Sequence, residues 1–244
     1  MLFLKDNTFY NQFTLTSQQS TITSLLSLNE TAMLSGSLDT TIAFWKIKTD
    51  LTIQSTLYHS LSVQDVTELN DEIGSGVIAT GSDDSSVNLW DSNNNFNLTA
   101  NLSSHQDYVY ALAYLGNGLL ASASKDVSIR IWNTSTSTLL NVLYMHDAAV
   151  LSIIAIGQKN IFFASGSCDT TIVTWDYNYA STTYKGRHTD CVNSLALFNN
   201  RYLISGGSDK LVVIWELLDG LIRWKKTLMG HSNQVNAVIV FSNR

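Results

Sequence analysis

The chain has 244 residues, of which 14% are charged and 45% apolar, and its mean hydropathy is +0.05. That much apolar and aromatic surface excludes a disordered polymer, no run of 18 or more apolar residues offers a membrane helix, and Met1–Asp6 holds too short an apolar stretch for a secretory signal. The net charge of −6 makes a nucleic-acid surface an unexpected function. Charge is uneven: three basic and twelve acidic side chains lie up to residue 124, eleven and eight beyond it. Two cysteines without an export signal fit a reducing compartment and no disulfide framework. Cys168 and Cys191 are therefore expected to be small packing residues without redox function, and the protein is expected in the cytoplasm, with the nucleus as the alternative.

Taken in chain order, Phe9–Leu15 alternates as a strand, and from about residue 15 the sequence repeats. Units run over about 15–46, 59–91, 105–133, 146–176 and 188–216, with a partial unit over 231–244. Trp45, Trp90, Trp132, Trp175 and Trp215 mark the period. Six residues before each stands Asp39, Asp84, Asp126, Asp169 or Asp209, and ten before each stands Ser35, Thr80, Ser122, Ser165 or Ser205. All five histidines (His59, His105, His146, His188, His231) precede an apolar pair at fixed spacing, as Val63 and Val66 follow His59. Gln18 takes the His place in the first unit, where Ile22 and Leu25 are the pair. Val109–Tyr114 and Ser128–Trp132 alternate with period two, and turns such as Gly116–Gly118 and Asp219–Gly220 separate them. Units of about 42 residues accommodate four short strands and no crossover helix. The fold class read from this is all-β, with stacked antiparallel units arranged as a β-propeller.

Ser35–Asp39 with Phe44–Trp45, Ser165–Asp169 with Trp175–Asp176, and Gly230–His231 resemble the WD-repeat family over essentially the whole chain. The Asp that follows Trp in such repeats is present at Asp91 and Asp176 and replaced by Lys46, Asn133 and Glu216. The resemblance implies a single domain over 1–244, with five complete four-stranded blades plus an incomplete sixth in an open or truncated ring. It further implies a closing strand over about 9–15. Val235–Phe241 reads as the inner strand of the sixth unit, whose remainder would lie beyond the C-terminal end.

A hydroxyl, a His and an Asp in each unit are the residue types of a hydrolase triad. Five copies of one active site in a small protein argue for a scaffold instead. The resemblance implies a buried chain from Trp N–H to hydroxyl, hydroxyl to imidazole and imidazole to Asp. Histidines 41–46 residues apart offer no zinc spacing, and no glycine-rich phosphate loop opens a helix. No cofactor, metal, membrane or small-molecule substrate is expected.

Function then falls to the surfaces. By resemblance, one end of the propeller collects two positions flanking the first residue of each inner strand and one position before each structural Asp. Tyr108, Tyr110, Lys125, Asp83, Gln64, Leu151 and Asn193 are the candidates there, with blade three the most aromatic. Tyr177, Tyr179, Tyr184, the loop Asn70–Gly76 and Trp224 are weaker candidates elsewhere. The expected function is a non-catalytic scaffold for protein or peptide partners. A substrate-recognition subunit of a ubiquitin ligase is the alternative, although Trp90–Asn93 and Trp175–Asn178 lack the Arg of a Trp-Asp-x-Arg adaptor motif. A propeller enzyme is the third reading.

Overall fold

Short runs of alternating, β-branched residues closed by Asn, Asp and Gly turns leave each unit one economical choice, a meander of antiparallel hairpins. The computed structural model describes residues 2–5, 8–11, 17–29, 32–46, 53–69, 76–158 and 161–240. A hairpin of β1 (Leu2–Lys5) and β2 (Thr8–Asn11) comes first. Blade one comprises β3 (Ile22–Asn29), β4 (Ala32–Ser37), β5 (Thr41–Lys46) and β6 (Ile53–Tyr58). Blade two comprises β7 (Val63–Leu69), β8 (Val77–Ser82), β9 (Ser86–Asp91) and β10 (Asn97–Ser103). Blade three comprises β11 (Val109–Gly116), β12 (Leu119–Ser124), β13 (Ile129–Asn133) and β14 (Thr138–Leu143). Blade four comprises β15 (Val150–Gln158), β16 (Ile161–Ser167), β17 (Ile172–Trp175) and β18 (Ser181–Tyr184). Blade five comprises β19 (Val192–Phe198), β20 (Tyr202–Gly207), β21 (Val212–Leu218) and β22 (Leu221–Leu228). Each blade is a four-stranded antiparallel sheet in chain order, and the architecture is an all-β propeller.

The core lies between blades, in one apolar cluster per junction. Leu34 and Ile42 of blade one meet Val63, Val66 and Trp90 of blade two. Ala79 and Val87 meet Val109, Leu112 and Trp132; Ala121 and Ile131 meet Val150, Phe163 and Trp175; Ala164 and Ile172 meet Val192, Leu203 and Trp215. Every blade is thus apolar on both faces, which is why no blade is a stable unit alone.

A polar tetrad ties the entry of each inner strand to the turn between the second and third strands. In blade three, Trp132 Nε1 donates to Ser122 Oγ at 2.8 Å, Ser122 Oγ lies 2.7 Å from His105 Nε2, and His105 Nδ1 lies 2.8 Å from Asp126 Oδ2. With the imidazole proton on Nδ1, facing the carboxylate, Nε2 accepts from the hydroxyl and every polar side-chain atom of the tetrad link is paired. Trp90–Thr80–His59–Asp84, Trp175–Ser165–His146–Asp169 and Trp215–Ser205–His188–Asp209 repeat the arrangement. Each Asp also accepts the backbone N–H two residues on, at 3.0 Å from Thr41, Ser86, Ser128 and Leu211 and 2.9 Å from Thr171. This holds the intervening Thr40, Ser85, Val127, Thr170 and Lys210 at φ of 62–77°, a region a β-branched residue such as Val127 adopts only when its surroundings enforce it. Blade one departs: Gln18 Nε2 donates to Thr41 Oγ1 and Ser35 O, its amide oxygen accepts from Ser35 Oγ, and Trp45 Nε1 still donates to Ser35 Oγ. Asp39 there keeps the Gln19 N–H, as the other four Asp keep the N–H after their histidine, but has no imidazole partner.

One expectation is corrected. Cys168 and Cys191 form a disulfide. One sits in the blade-four turn and the other at the entry to β19, and stacking brings together two sites that stand 23 residues apart in sequence. Cysteine usage therefore no longer argues for a reducing compartment. Of the segment 9–15 expected as a closing strand, residues 9–11 pair within the hairpin of 2–5 with 8–11, whose short connection costs little chain entropy, and residues 12–15 lie outside the described residues. Of the segment Val235–Phe241 expected as an inner strand, residues 235–238 dock on blade five and 235–240 pair with no second strand among the described residues; Phe241 lies outside them.

Two outcomes follow from these ties. Burial holds the His105 imidazole below its ordinary value of 6.5, against the pull of Asp126. A folded-state value below the unfolded one means that its contribution is complete above about pH 6.5 and fades as the pH falls. Replacing His105 by Ala should cost about 1–3 kcal/mol at pH 7.5 by urea unfolding, because Ser122 and Asp126 each lose one buried partner, and less at pH 5; equal stability of variant and wild type at pH 7.5 would count against the tetrad. Reducing the disulfide should lower stability by about 3 kcal/mol from the freed loop and Tm by roughly 6–12 °C. Cys168→Ser/Cys191→Ser should melt at the reduced protein's temperature in calorimetry with or without reductant.

Candidate functional site

The tetrad hydroxyls combine the residue types of a nucleophile–base–acid triad, but their geometry is that of a tie. Thr80, Ser122, Ser165 and Ser205 have no exposed surface and Ser35 only 2%. Each is engaged by Trp on one side and by imidazole, or Gln18, on the other, so an attacking oxygen could reach no carbonyl. Burial alone would raise the Asp84 and Asp126 carboxyls; hydrogen bonds from His59 and Ser86, and from His105 and Ser128, overcome it and hold both well below the usual carboxylate range. These carboxylates remain ionised and bound.

The loops before the inner strands and the turns carrying the Asp residues meet at one end of the propeller. Blades two and three converge there. Tyr108 and Tyr110 flank Val109, which is fully buried against blade two, at a point where the β11–β12 register shifts between Val109 and Ala111, and both phenols keep exposed surface. Their rings pack edge to face with centroids 6.2 Å apart. Lys125, from the turn after β12, lays its ammonium 4.4 Å from the Tyr108 centroid and 3.3 Å from Asp107 Oδ2. Gln64 Nε2 donates to Asp83 Oδ1 at 2.9 Å. Burial raises the Asp83 carboxyl, helped by the nearby negative charge of Asp107, and burial likewise raises the Tyr110 phenol, with Asp83 and Asp107 adding to it. Two carboxylates therefore face one ammonium, and the patch keeps a surplus negative charge beside half-exposed aromatic rings. Leu38 and Leu61, 39% and 49% exposed, extend it over blade one, where Ser62 Oγ donates to Leu38 O.

The other candidates fall elsewhere. Leu151 is half-buried on blade four. Asn193 is committed, donating 3.0 Å hydrogen bonds to Ser208 Oγ and Val235 O. Tyr177 stacks on Phe162, and Tyr184 Oη accepts the Ile222 N–H. Residues 70–75 lie outside the described residues. Trp224 is 47% exposed on β22 beneath the Arg187 guanidinium, 4.5 Å from its centroid.

Sequence reasoning missed two polar devices. The hydroxyls of Thr41, Ser86, Ser128 and Thr171 each donate to the Asp two residues earlier, a recurrence visible in four units and lost at Leu211. Asp65, on β7, accepts from Ser24 Oγ of blade one and from the Leu112 N–H of blade three, both at 2.8 Å. It spans three blades, and no repeat marks it because the other units place Ser24, Ala111, Ser152 and Ser194 there.

The family model "WD domain, G-beta repeat" matches residues 53–91, 96–133, 137–176 and 180–216. Among curated proteins, the p21-activated protein kinase-interacting protein 1-like of Danio rerio is 30% identical over 102 residues, covering 40% of this chain and 26% of that protein. A guanine nucleotide-binding protein subunit beta of Zea mays is 38% identical over 93 residues, 37% of this chain and 22% of that one. The nuclear distribution protein nudF of Aspergillus niger is 25% identical over 214 residues, 86% of this chain and 38% of that one. The chain thus spans between 22% and 38% of the length of these relatives. The matched repeats cover blades two to five with their His–hydroxyl–Trp ties, and they take in more than half of the sequence. By its repeats and its fold, the chain belongs to the WD domain, G-beta repeat family.

Proposed function

We propose that this protein is a non-catalytic interaction scaffold that receives a protein or peptide partner on the loop end over blades two and three, with a cationic side chain of the partner set against Asp83, Asp107 and the two phenols. The observation that carries the reading is the convergence of Tyr108, Tyr110, Asp83, Asp107 and Lys125 from two blades into one half-exposed patch. Tyrosine offers large contact area with few rotors to immobilise, which suits it to an anchor at an interface. The carboxylates set the sign of the preferred partner, and the pairing of Lys125 with Asp107 gives it an exchangeable ion pair at the rim. Membership of a repeat family with a G-protein β subunit among its relatives supports the scaffold role. A committed, buried hydroxyl in every tetrad supports the non-catalytic reading.

The test is a peptide-display selection on the intact chain, followed by titration of the selected peptides. Ligands enriched in Lys or Arg are expected. Tyr108→Ala/Tyr110→Ala should weaken them at least tenfold and leave Tm within about 2 °C, because both side chains lie outside the blade junctions. Undiminished affinity in that variant would remove this patch as the binding site.

A further inference from the structure

At the loop end over blades two and three, a cation of the chain itself already fills a cation site. Lys125 places its Nζ 4.4 Å from the centroid of the Tyr108 ring and 3.3 and 3.4 Å from the two carboxylate oxygens of Asp107. An ammonium between the face of a phenol and a carboxylate is held by electrostatic attraction from both sides. The Tyr110 phenol, raised by burial, also senses the charges of Lys125, Asp83 and Asp107, so these groups surround one small volume.

The walls of this site are fixed, whereas its occupant is not. Asp107 Oδ1 accepts the Tyr108 N–H at 2.9 Å, and Asp107 O accepts from Ser124 Oγ at 3.1 Å, so carboxylate and ring stay in place without the ammonium. The turn that carries Lys125 is tied through its main chain, by the Lys125 N–H to Tyr108 O at 2.9 Å. Asp83, Cys168 and Ser208, the equivalent residues of blades two, four and five, make the same backbone bond. Their side chains are committed within the frame: Asp83 to Gln64, Cys168 to Cys191, Ser208 to Asn193. Of the residues at this position only Lys125 is cationic. Its side chain is 44% exposed and that of Asp107 36%. Water screens such a pair, and the flexible stem of a lysine can turn outward without moving the turn beneath it.

We infer that Lys125 is a resident competitor that keeps the patch partly closed, and that a lysine side chain of the partner displaces it from Tyr108 and Asp107. This rests on the binding patch proposed above and adds its regulation. The exchange swaps one ammonium for another on the same ring and carboxylate, and the partner adds contacts along its chain that Lys125 lacks. Apparent affinity is then the intrinsic affinity reduced by the fraction of molecules in which Lys125 has swung away. Neutralising Lys125 opens the patch. Were Lys125 instead a contact for an acidic group of the partner, neutralising it would weaken binding.

Lysine-containing peptides selected on the intact chain provide the probe. Lys125→Met keeps the stem and removes the charge; it should bind them at least fivefold more tightly, as for a site that Lys125 fills roughly four-fifths of the time. Lys125→Arg, which restores a cation, should stay within about twofold of wild type. Lys210→Met removes a charge from the blade-five turn at the same end and should change affinity by less than about twofold, since it lies outside the site. In spectra of lysine-labelled protein, the Lys125 methylene protons, shifted by the Tyr108 ring, should move to ordinary positions when peptide saturates the chain. Unchanged or weaker binding in Lys125→Met, an equal gain in Lys210→Met, or a ring shift that persists at saturation would overturn the inference. If Tyr108→Ala/Tyr110→Ala still abolished binding in that case, the patch would stand and only the competition would fall. A selection without lysine-containing ligands, or binding undiminished in the double tyrosine variant, would overturn both.

Discussion

The structure depends on a close approach between the inner strand of each blade and the second strand of the blade before it. A Cβ on Gly36 would lie 2.9 Å from Val63 Cγ1, on Gly81 2.9 Å from Val109 Cγ1, on Gly166 2.6 Å from Val192 Cγ1 and on Gly206 2.7 Å from Val235 Cγ1. The missing side chain is a notch into which a β-branched residue seats, and the repeat reproduces it at nearly every junction. The blade three–four junction departs, with buried Ala123 in the cluster that holds Val150 and Ile153. Because a four-stranded sheet with two apolar faces cannot stand in water alone, this contact sets both the pitch of the stack and its stability.

Polar groups keep that stack in register. The tetrads fasten each inner strand to the turn of its own blade, while Asp65 and the equivalent Ser24 and Ser194 reach across to backbone N–H groups of the next one. The Asp65 carboxyl is raised by burial and accepts three hydrogen bonds, from the Leu112 and Val66 N–H groups and Ser24 Oγ. It therefore couples the first three blades more closely than the hydroxyls couple the others. The same rigidity fixes the loops at one end, and so lets side chains from two blades form a recognition patch that neither blade could form alone.

Much of this was legible because the repeat is also a chemical pattern. Trp, hydroxyl and Asp at offsets of ten and six, with a His ahead of each inner strand, announced the tetrads, and period-two runs announced the strands around them. The patch at Tyr108, Tyr110, Lys125 and Asp83 was found by aligning those positions across units. Asp107, which binds the Lys125 ammonium, was not, because its role depends on the path of one loop. Asn193 occupies a recognition position in the repeat yet holds Val235, a use that arises only from the segment docked beside it. The Cys168–Cys191 bond escaped for a similar reason: it joins two different repeat positions on successive blades, which an alignment of units keeps in separate columns.

The sequence by itself determined the local order, namely which residues form strands, where they turn and which polar groups each blade ties together. Those interactions act within a unit, and their spacing is written in every copy. The tertiary structure alone decided what stands next to what across blades: the pairing of the cysteines, the three-blade reach of Asp65 and the hold of Asn193 on Val235. These follow from stacking, in which residues 20–47 positions apart become neighbours. No periodicity along the chain records which side chains those neighbours bring together.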